Sequence, residues 1–297
     1  MYLNDKSKDE VLDNIIFVSG SARSGTTILG KVISTMQDIE YFFEPPLLFN
    51  LFHQATDENF KIIESVFETY MYEDLYMGSI SGRQINLRRQ DDSSIYWSKS
   101  EEEVNSRLRS SARKSELSDH RGRICFKVPD FVYKEQLIKR IANEPTTVRL
   151  VRDPNETINS LVAKGWFSDT SIRRSDIIWP NQYYMDYFVP HWLEEENWAL
   201  WGELSEVDRC LLYYLSQTDT EQAADVVVDY GDLIGSPEMT IAKLSQILSL
   251  KTGPMTSVVT QTIEPQNSTS RELTLPYNRG LLEKAIESYN RSRGLAI

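Results

Sequence analysis

The stretch "GSARSGTT", residues 20–27, lies between the apolar run "IIFVS" (15–19) and the segment "TTILGKVISTM" (26–36). The β-branched run predicts a buried strand, and the apolar residues after it recur at helical spacing. Gly20 and Gly25 have the spacing of a phosphate-binding loop, in which backbone amides and the positive end of the next helix hold an anion. This region therefore predicts a strand, a phosphate loop and a helix in succession.

The loop differs from those that bind nucleoside triphosphates. A lysine normally follows the second glycine and contacts the β- and γ-phosphates, but Thr26 occupies that place here. Arg23, inside the loop, is the nearest cation. The loop therefore disfavours an ATPase or kinase, although a P-loop kinase and a glycine turn without a ligand stay open as alternatives.

The rest of the chain predicts an α/β fold. Its 297 residues are 40% hydrophobic and 26% charged, which is ordinary for a globular protein. Residues 40–52 are predicted to begin extended, because a double proline disfavours helix just before it. Strands alternate with helices, which is typical of a central parallel sheet flanked by helices, and one domain over 1–297 is expected. The predicted strands are 15–19, 123–128, 146–151 and 225–230.

Net charge and cysteine content bear on partners and location. The formal net charge of −12 disfavours nucleic acid and anionic membranes as partners. Two cysteines make no disulfide framework, and Cys125 lies within a predicted strand. No apolar run reaches the ~20 residues that span a bilayer, and the polar N-terminus is unlike a secretory signal. We expect a cytoplasmic protein with reduced thiols that is a monomer or a homodimer.

The string "RSGTT" after an apolar strand resembles the 5′-phosphosulfate loop of sulfotransferases that use 3′-phosphoadenosine 5′-phosphosulfate (PAPS). The resemblance implies the P-loop-like α/β sulfotransferase fold, with PAPS as co-substrate and its desulfated form, PAP, as product. Sulfuryl transfer requires no Mg²⁺ in principle, and no group of His, Cys and carboxylates has metal-ligand spacing. The loop residues implied to contact the phosphosulfate are Arg23, Ser24, Gly25, Thr26 and Thr27.

The segment "LVRDPNETINS" resembles the family's site for the 3′-phosphate of the nucleotide. Arg152, at the end of a predicted strand, supplies a forked donor for phosphate oxygens, and Ser160 adds a hydroxyl two helical turns later. Lys164 is expected one further turn along the same face. In the alternative interpretation, Arg152 and Asp153 form a local ion pair and helix cap.

Two C-terminal segments resemble further family elements. Tyr230, in "VVDYGDL", matches a tyrosine that approaches the nucleotide in some members, unless it only packs at the strand end. The stretch "TSRELTLPYNRGLLEK" (269–284) resembles the loop that closes over the nucleotide in tyrosylprotein sulfotransferases. This match implies contacts from Thr269, Ser270 and Lys284, although serine and threonine are also common in ordinary loops.

The segment "YFFEPP" is the expected source of the catalytic base. Small-molecule cytosolic sulfotransferases use a histidine shortly after a strand lysine, but "FKVPDF" keeps only the lysine, Lys127. Glu44 lies 21 residues after Arg23, the interval at which tyrosylprotein sulfotransferases have a catalytic glutamate, and heparan sulfotransferases use one in a comparable segment. Apolar neighbours favour Glu44 as general base, while Lys127 and Arg23 are expected to stabilise the leaving oxygen. His53 is the alternative base.

Residues 166–222, named the acceptor segment here, match no family pattern and are expected to vary with the acceptor. Five of the six tryptophans lie between 166 and 201 beside several carboxylates, and no regular element is predicted before 193. Aromatic faces with carboxylates suit a cation, so one hypothesis is a small-molecule acceptor with an amine or guanidinium group, as in secondary metabolism. Packing of the rings, sulfation of a protein tyrosine or carbohydrate, and an inactive PAP-binding protein are alternatives. Residues expected to contact the acceptor are Phe43, Glu44, Trp166 and Trp192.

Overall fold

The computed structural model describes residues 5–112, 116–117, 120–173, 182–218, 224–264, 272–273 and 276–297. The strands in these ranges are β1 (Ile16–Gly20), β2 (Ile39–Phe43), β3 (Arg123–Lys127), β4 (Thr146–Val151), β5 (Gln182–Tyr184), β6 (Tyr187–Val189) and β7 (Val226–Asp229). The α-helices are α1 (Asp5–Leu12), α2 (Thr26–Ser34), α3 (Pro46–Gln54), α4 (Phe60–Glu68), α5 (Met77–Ile80), α6 (Glu101–Arg109), α7 (Glu135–Ile141), α8 (Pro154–Val162), α9 (Trp198–Glu203), α10 (Glu206–Thr218), α11 (Tyr230–Gly235), α12 (Pro237–Ile247), α13 (Thr256–Gln261) and α14 (Arg279–Arg293). A π-helical stretch, Thr69–Tyr76, joins α4 to α5.

Five strands form one parallel sheet in the order β2-β3-β1-β4-β7, which confirms the predicted α/β fold. Strand β2 was expected only as an extended start of 40–52. It becomes a sheet strand because it pairs with β3, a contact with distant residues that local sequence does not show. Since the strands are parallel, all five end at the same edge. This edge, with the residues directly after each strand, is called the carboxyl edge below.

Helices cover both faces of the sheet, as predicted. On one face, Ile16 and Val18 of β1 lie in a cluster with side chains of α2 and α12. On the other face, Phe17 stacks on Phe126 of β3, with 4.9 Å between ring centroids, among side chains of α3, α4 and α7. The run at 15–19 is continuously apolar because alternate residues face two buried layers. Both cysteines are buried and free, as expected for Cys125 in a strand.

The acceptor segment builds a smaller core of its own. Its first part contains the antiparallel hairpin β5–β6, in a stretch where the sequence predicted no regular element. Trp201 of α9 is fully buried against Tyr187 and Phe188 of this hairpin. Helix α10 packs against α8 and α14. Strands of three residues carry too little local signal to be predicted from the sequence. This hairpin depends instead on packing against the aromatic cluster.

Candidate active site

The phosphate loop follows β1 at the centre of the carboxyl edge. Gly25 has a φ of 105°, and a Cβ atom there would lie 2.5 Å from the ring of Tyr230. Glycine is therefore required at this position for the backbone conformation and for the close approach. Tyr230 is buried at the start of α11, so its ring packs directly behind the loop.

Several amides of the loop have no acceptor within the protein. The N–H of Ser24 donates to the carbonyl oxygen of Ser21 at 3.2 Å and closes the turn. The positive end of α2 adds to the field of the loop amides, so this part of the carboxyl edge attracts an anion. The amides that find no acceptor in the described part of the chain are those of Arg23, Gly25, Thr26 and Thr27.

The hydroxyl side chains of the loop divide into two groups. Ser24 is buried, and its Oγ donates to the Ser21 carbonyl oxygen at 2.7 Å, so this side chain shapes the loop. Thr26 is also buried. Thr27 is partly exposed, and its Oγ1 lies 3.5 Å from Nζ of Lys127. Of the three predicted hydroxyls, Thr27 is the one that faces the other catalytic candidates.

The structure brings the second predicted cluster against the loop. Nε of Arg23 donates to Oγ of Ser160 at 3.1 Å, and Nη1 of Arg152 donates to the carbonyl oxygen of Arg23 at 2.9 Å. The Arg152 guanidinium also lies over the ring of Tyr230, 4.3 Å from its centroid. These residues meet between β1 and β4, where the chain leaves toward opposite sides of the sheet. Ligands of open parallel sheets bind at such a point.

Arg152 has a carboxylate partner that the sequence interpretation did not include. Its Nε donates to Oε2 of Glu156 at 2.9 Å, and both side chains are mostly buried. Asp153 is the helix cap that the alternative interpretation proposed, because its Oδ1 accepts from the N–H of Glu156 at 3.2 Å. The ion pair, however, forms with Glu156 and not with Asp153. The i, i+4 spacing within α8 accounts for this pairing.

Glu44 and Lys127 form an ion pair at the carboxyl edge. The Lys127 side chain is 4% exposed and the Glu44 side chain 29% exposed, so the lysine approaches from the core and the carboxylate from the open side. Strand register explains the pairing: Phe43 is opposite Lys127 in the β2–β3 ladder, and the N–H of Glu44 donates to the Lys127 carbonyl oxygen at 2.9 Å. Nζ of Lys127 also lies 4.6 Å from the centroid of the Phe43 ring. A base and a cation are thus held side by side.

Two predicted lysines lie apart from this group. Helix α8 ends at Val162, so the prediction that Lys164 continues its face is wrong; Lys164 is exposed in the turn that follows, where Gly165 has a φ of 66°. Lys284 is exposed in α14. Asn278 caps that helix by accepting from the N–H of Gly280 at 2.9 Å. Thr269 and Ser270 lie outside the described residues.

The aromatic candidates of the acceptor segment differ in exposure. Trp166 is 46% exposed. Trp192 packs edge-on against Trp201, with 5.5 Å between ring centroids, and lies 6.2 Å from the ring of Tyr213. Asp169 pairs with the buried Arg209 at 2.8 Å, and Asp186 lies 3.4 Å from Arg173. Two of the carboxylates that suggested a cationic acceptor therefore have protein partners.

Asp130 and Tyr213 were not among the predicted site residues. The Tyr213 hydroxyl donates to Oδ1 of Asp130 and accepts from the N–H of Ala22 in the loop at 2.5 Å. Burial raises the pKa of Asp130 to about 6, although the hydrogen bonds from Tyr213 and Ala22 act in the opposite direction. The Pro-Asp pair after Lys127 was the available signal, but it reads as an ordinary turn.

His53, the alternative base, lies against a different set of side chains. Its ring centroid is 4.2 Å from that of His191 and 4.8 Å from that of Phe131. Burial, His191 and Lys134 together lower the pKa of His53 to about 3. The contact joins α3 to the acceptor segment just after β6.

Comparison with known proteins shows the family to which the chain belongs. The family model described as "Sulfotransferase family" matches residues 15–254, and the chain belongs to that family. Similar solved structures are the sulfotransferase domain of the Synechococcus PCC 7002 olefin synthase (14% identity, TM-score 0.49, covering 93% of this chain and 94% of that one) and a sulfotransferase from Mycobacterium avium (13% identity, TM-score 0.49, 97% and 79%). No curated protein matches the chain.

Among the residues that the structure describes, no helix is long and apolar enough to cross a bilayer. No group of three or more His, Cys, Asp and Glu side chains among them is arranged to hold a metal ion.

Proposed function

We propose that this protein transfers a sulfuryl group from PAPS to a hydroxyl or amine of a small molecule. The observation that carries the proposal is the Glu44–Lys127 ion pair beside the loop amides. A sulfuryl transfer site needs a base for the acceptor proton and positive charge at the leaving oxygen, and these two groups supply both. Membership of the sulfotransferase family supports the reaction class.

Glu44 is the proposed general base. Its carboxylate would accept the proton of the attacking hydroxyl or amine while the new S–O or S–N bond forms and the bond from sulfur to the phosphate oxygen breaks. Its partly exposed position lets an acceptor reach it from solvent, whereas Lys127 lies behind it. Lys127 would release Glu44 and turn to the leaving oxygen. Its Nζ already lies 3.5 Å from Oγ1 of Thr27, in the first turn of α2 after the loop. Arg23 adds a second cation.

The residues between β1 and β4 fit the nucleotide end of the donor. Bound PAPS supplies the sulfuryl group, and the loop amides would hold its 5′-phosphosulfate. Arg152 and Ser160 are the proposed ligands of its 3′-phosphate, with the Arg152–Glu156 pair fixing the guanidinium. Arg23 already bonds Ser160, so the loop and the 3′-phosphate site share one hydrogen-bonded group.

A small-molecule acceptor is the narrower part of the proposal. Trp166 offers an exposed aromatic face for it. A positive charge on the acceptor has weaker support, because Asp169 and Asp186 are paired with arginines. This part of the proposal can be tested with two acceptors that differ only in carrying an amine or a neutral hydroxyl. Equal kcat/KM values for the two would refute the hypothesis of a cationic acceptor.

Thermal unfolding with PAP and with Mg-ATP tests the donor first. We expect PAP to raise the unfolding temperature and Mg-ATP to leave it unchanged, because ligands that bind the native state stabilise it. Stabilisation by Mg-ATP alone would favour a P-loop kinase and overturn the proposal.

Incubation with PAPS and panels of small hydroxyl and amine compounds tests the reaction. The expected result is PAP release coupled to a gain of one SO₃ in the mass of an acceptor. Lys127→Ala should abolish turnover, whereas Lys61→Ala, which removes an exposed lysine paired with Glu64, is the matched control and should retain it. PAP binding without turnover on any acceptor, including tyrosine peptides and oligosaccharides, would indicate an inactive nucleotide-binding protein.

A further inference from the structure

One amide of the phosphate loop is held by side chains and is not available to a ligand. The N–H of Ala22 has two acceptors: the Tyr213 hydroxyl at 2.5 Å and Oδ1 of Asp130 at 3.2 Å. The Tyr213 hydroxyl itself donates to that same Oδ1. These three groups form a closed triangle, in which Ala22 and Tyr213 are buried and Asp130 is partly buried, directly before the amides of Arg23 and Gly25, which have no acceptor in the described ranges.

Asp130 contacts the loop through its backbone as well as its side chain. Its N–H donates to the carbonyl oxygen of Gly20 at 3.4 Å, at the last residue of β1. Its φ of 72° is the left-handed conformation, which aspartate tolerates better than most residues. Because Asp130 follows Lys127 by three residues, the same turn carries the catalytic cation and the group that holds the loop.

Tyr213 connects this triangle to the acceptor segment. Its ring lies 5.2 Å from the ring of Phe167 and 6.2 Å from that of Trp192, centroid to centroid. Ala22 belongs to the same apolar cluster, together with residues of α8 and α10. The hydroxyl of Tyr213 thus contacts the phosphate loop, while its ring packs against aromatic rings of the acceptor segment.

We propose that Asp130 and Tyr213 are positioning residues for the donor, which fix the phosphate loop in its anion-binding shape by holding the Ala22 amide. This inference rests on the proposed function for the identity of the donor. Because the Ala22 amide is already held by Tyr213 and Asp130, the loop amides that follow it need not reorder when the phosphosulfate binds. Such preorganisation raises affinity. Neither residue touches the reacting atoms.

The charges around Asp130 bear on the choice of variant. Lys127 faces it from the end of β3, Glu44 from the residue after β2, Tyr213 from α10, and Tyr133 from the 3-10 turn before α7. Burial raises its pKa to about 6, and both of its side-chain hydrogen bonds reach Oδ1, so we expect an amide of the same shape to fit there. Asp130→Asn retains the Oδ1 acceptor for Ala22 and Tyr213, whereas Asp130→Ala removes it.

Donor affinity provides the first test, with PAP as the probe in calorimetric titrations. We expect Asp130→Ala to weaken PAP binding about tenfold and Asp130→Asn to stay within about twofold of the unsubstituted protein, the scale of one lost hydrogen bond in a charged site. In turnover assays the KM for PAPS should rise while the KM for the acceptor does not. Rescue by asparagine would show that the acceptor oxygen matters and not the charge.

Hydrogen exchange of the loop amides provides a second test that needs no ligand. Tyr213→Phe removes the hydroxyl and keeps the ring packing, so exchange of the bonded amides of Ala22 and Ser24 should accelerate without a large change in unfolding temperature. Tyr133→Phe is the matched control, because the hydroxyl of Tyr133 contacts His53 at 3.5 Å and not the loop. If Tyr213→Phe and Asp130→Ala both leave loop exchange and PAP affinity unchanged, the inference is wrong.

These measurements separate the two proposals. Failure of the unsubstituted protein to bind PAP would refute the proposed donor, while the exchange measurement would still decide whether Asp130 and Tyr213 hold the loop. Normal PAP binding with unaltered loop exchange in all variants would refute the positioning role alone.

Discussion

At the carboxyl edge, charged side chains that are buried or half-buried pair with one another, whereas the acceptor segment builds its core from aromatic rings around Trp201 and a single fully buried arginine, Arg209. Lys127 is 4% exposed and bonded to Glu44, and Arg152 is bonded to Glu156. In the acceptor segment, Trp201 is fully buried among aromatic neighbours, while Asp169 remains 77% exposed beside Arg209. One region fixes charges by strand register; the other fixes a shape by ring packing.

The difference matches the two requirements of a transferase. Transfer chemistry needs charges held within tenths of an ångström, and a parallel sheet supplies rigid positions at its strand ends. Recognition of an acceptor needs a surface that can change without disturbing those positions. The aromatic cluster around Trp201 contains no residue of the five-stranded sheet, so its packing could change without moving the strand ends.

The largest expected effect comes from the base. Glu44→Gln keeps the shape of the side chain and removes its proton affinity, so kcat should fall by about 10²-fold or more, the range of general-base catalysis. PAP affinity, measured by calorimetry, should stay nearly unchanged. Glu64→Gln, in the surface pair with Lys61, is the control and should be fully active. If Glu44→Gln kept its activity, a group other than Glu44 would be the general base that accepts the proton.

The second effect concerns the 3′-phosphate site. Arg152→Ala should weaken PAP binding about 10- to 100-fold, because hydrogen bonds to charged groups contribute roughly 1.5–3 kcal/mol each. The change also removes the support of the Arg23 carbonyl oxygen. Arg140→Ala, which breaks an exposed pair with Asp57, should bind PAP normally. Equal affinities for the two variants would show that Arg152 is a structural arginine only.

A smaller effect is expected in the acceptor segment. Trp166→Ser removes an exposed ring, so unfolding temperature and PAP affinity should not change, whereas the acceptor KM should rise about three- to tenfold, the range of an aromatic contact. Leu200→Ser removes another apolar side chain of the segment, which is 53% exposed, and is the control; it should leave the acceptor KM unchanged. If Trp166→Ser altered PAP binding instead, the division between the two regions would not hold.

The smallest effect is on the pH dependence of stability. His53 is neutral in the folded protein because its pKa is lowered to about 3, while the unfolded chain takes up a proton near pH 6.5. The free energy of unfolding should therefore fall as the pH drops from about 6.5 toward 3, and this contribution is fully present above pH 6.5. His53→Phe, which keeps the ring contact with Phe131, should reduce that slope in denaturant titrations. An unchanged slope would mean that other groups set it.

Local sequence was sufficient where the structure depends on neighbouring residues. The strand-loop-helix around Gly25 and the cap at Asp153 agree with what the sequence indicated, since turns, caps and helical periodicity are properties of short segments. The prediction for Lys164 was wrong because α8 ends at Val162, two residues earlier, and a turn containing Gly165 follows. Glu156 was missed because a glutamate in the first turn of a helix is common without any function.

The sequence by itself determined a strand-loop-helix that lacks the triphosphate lysine, an α/β order of elements and the candidates Glu44, Lys127 and Arg152. Only the tertiary structure decided which of them meet. Glu44 and Lys127, 83 residues apart, pair because β2 lies beside β3 in one register, and Ala22 reaches Tyr213 because α10 folds back over the loop, 191 residues later in the chain. Register and helix docking depend on distant parts of the chain packing together, and no short stretch of sequence contains that information.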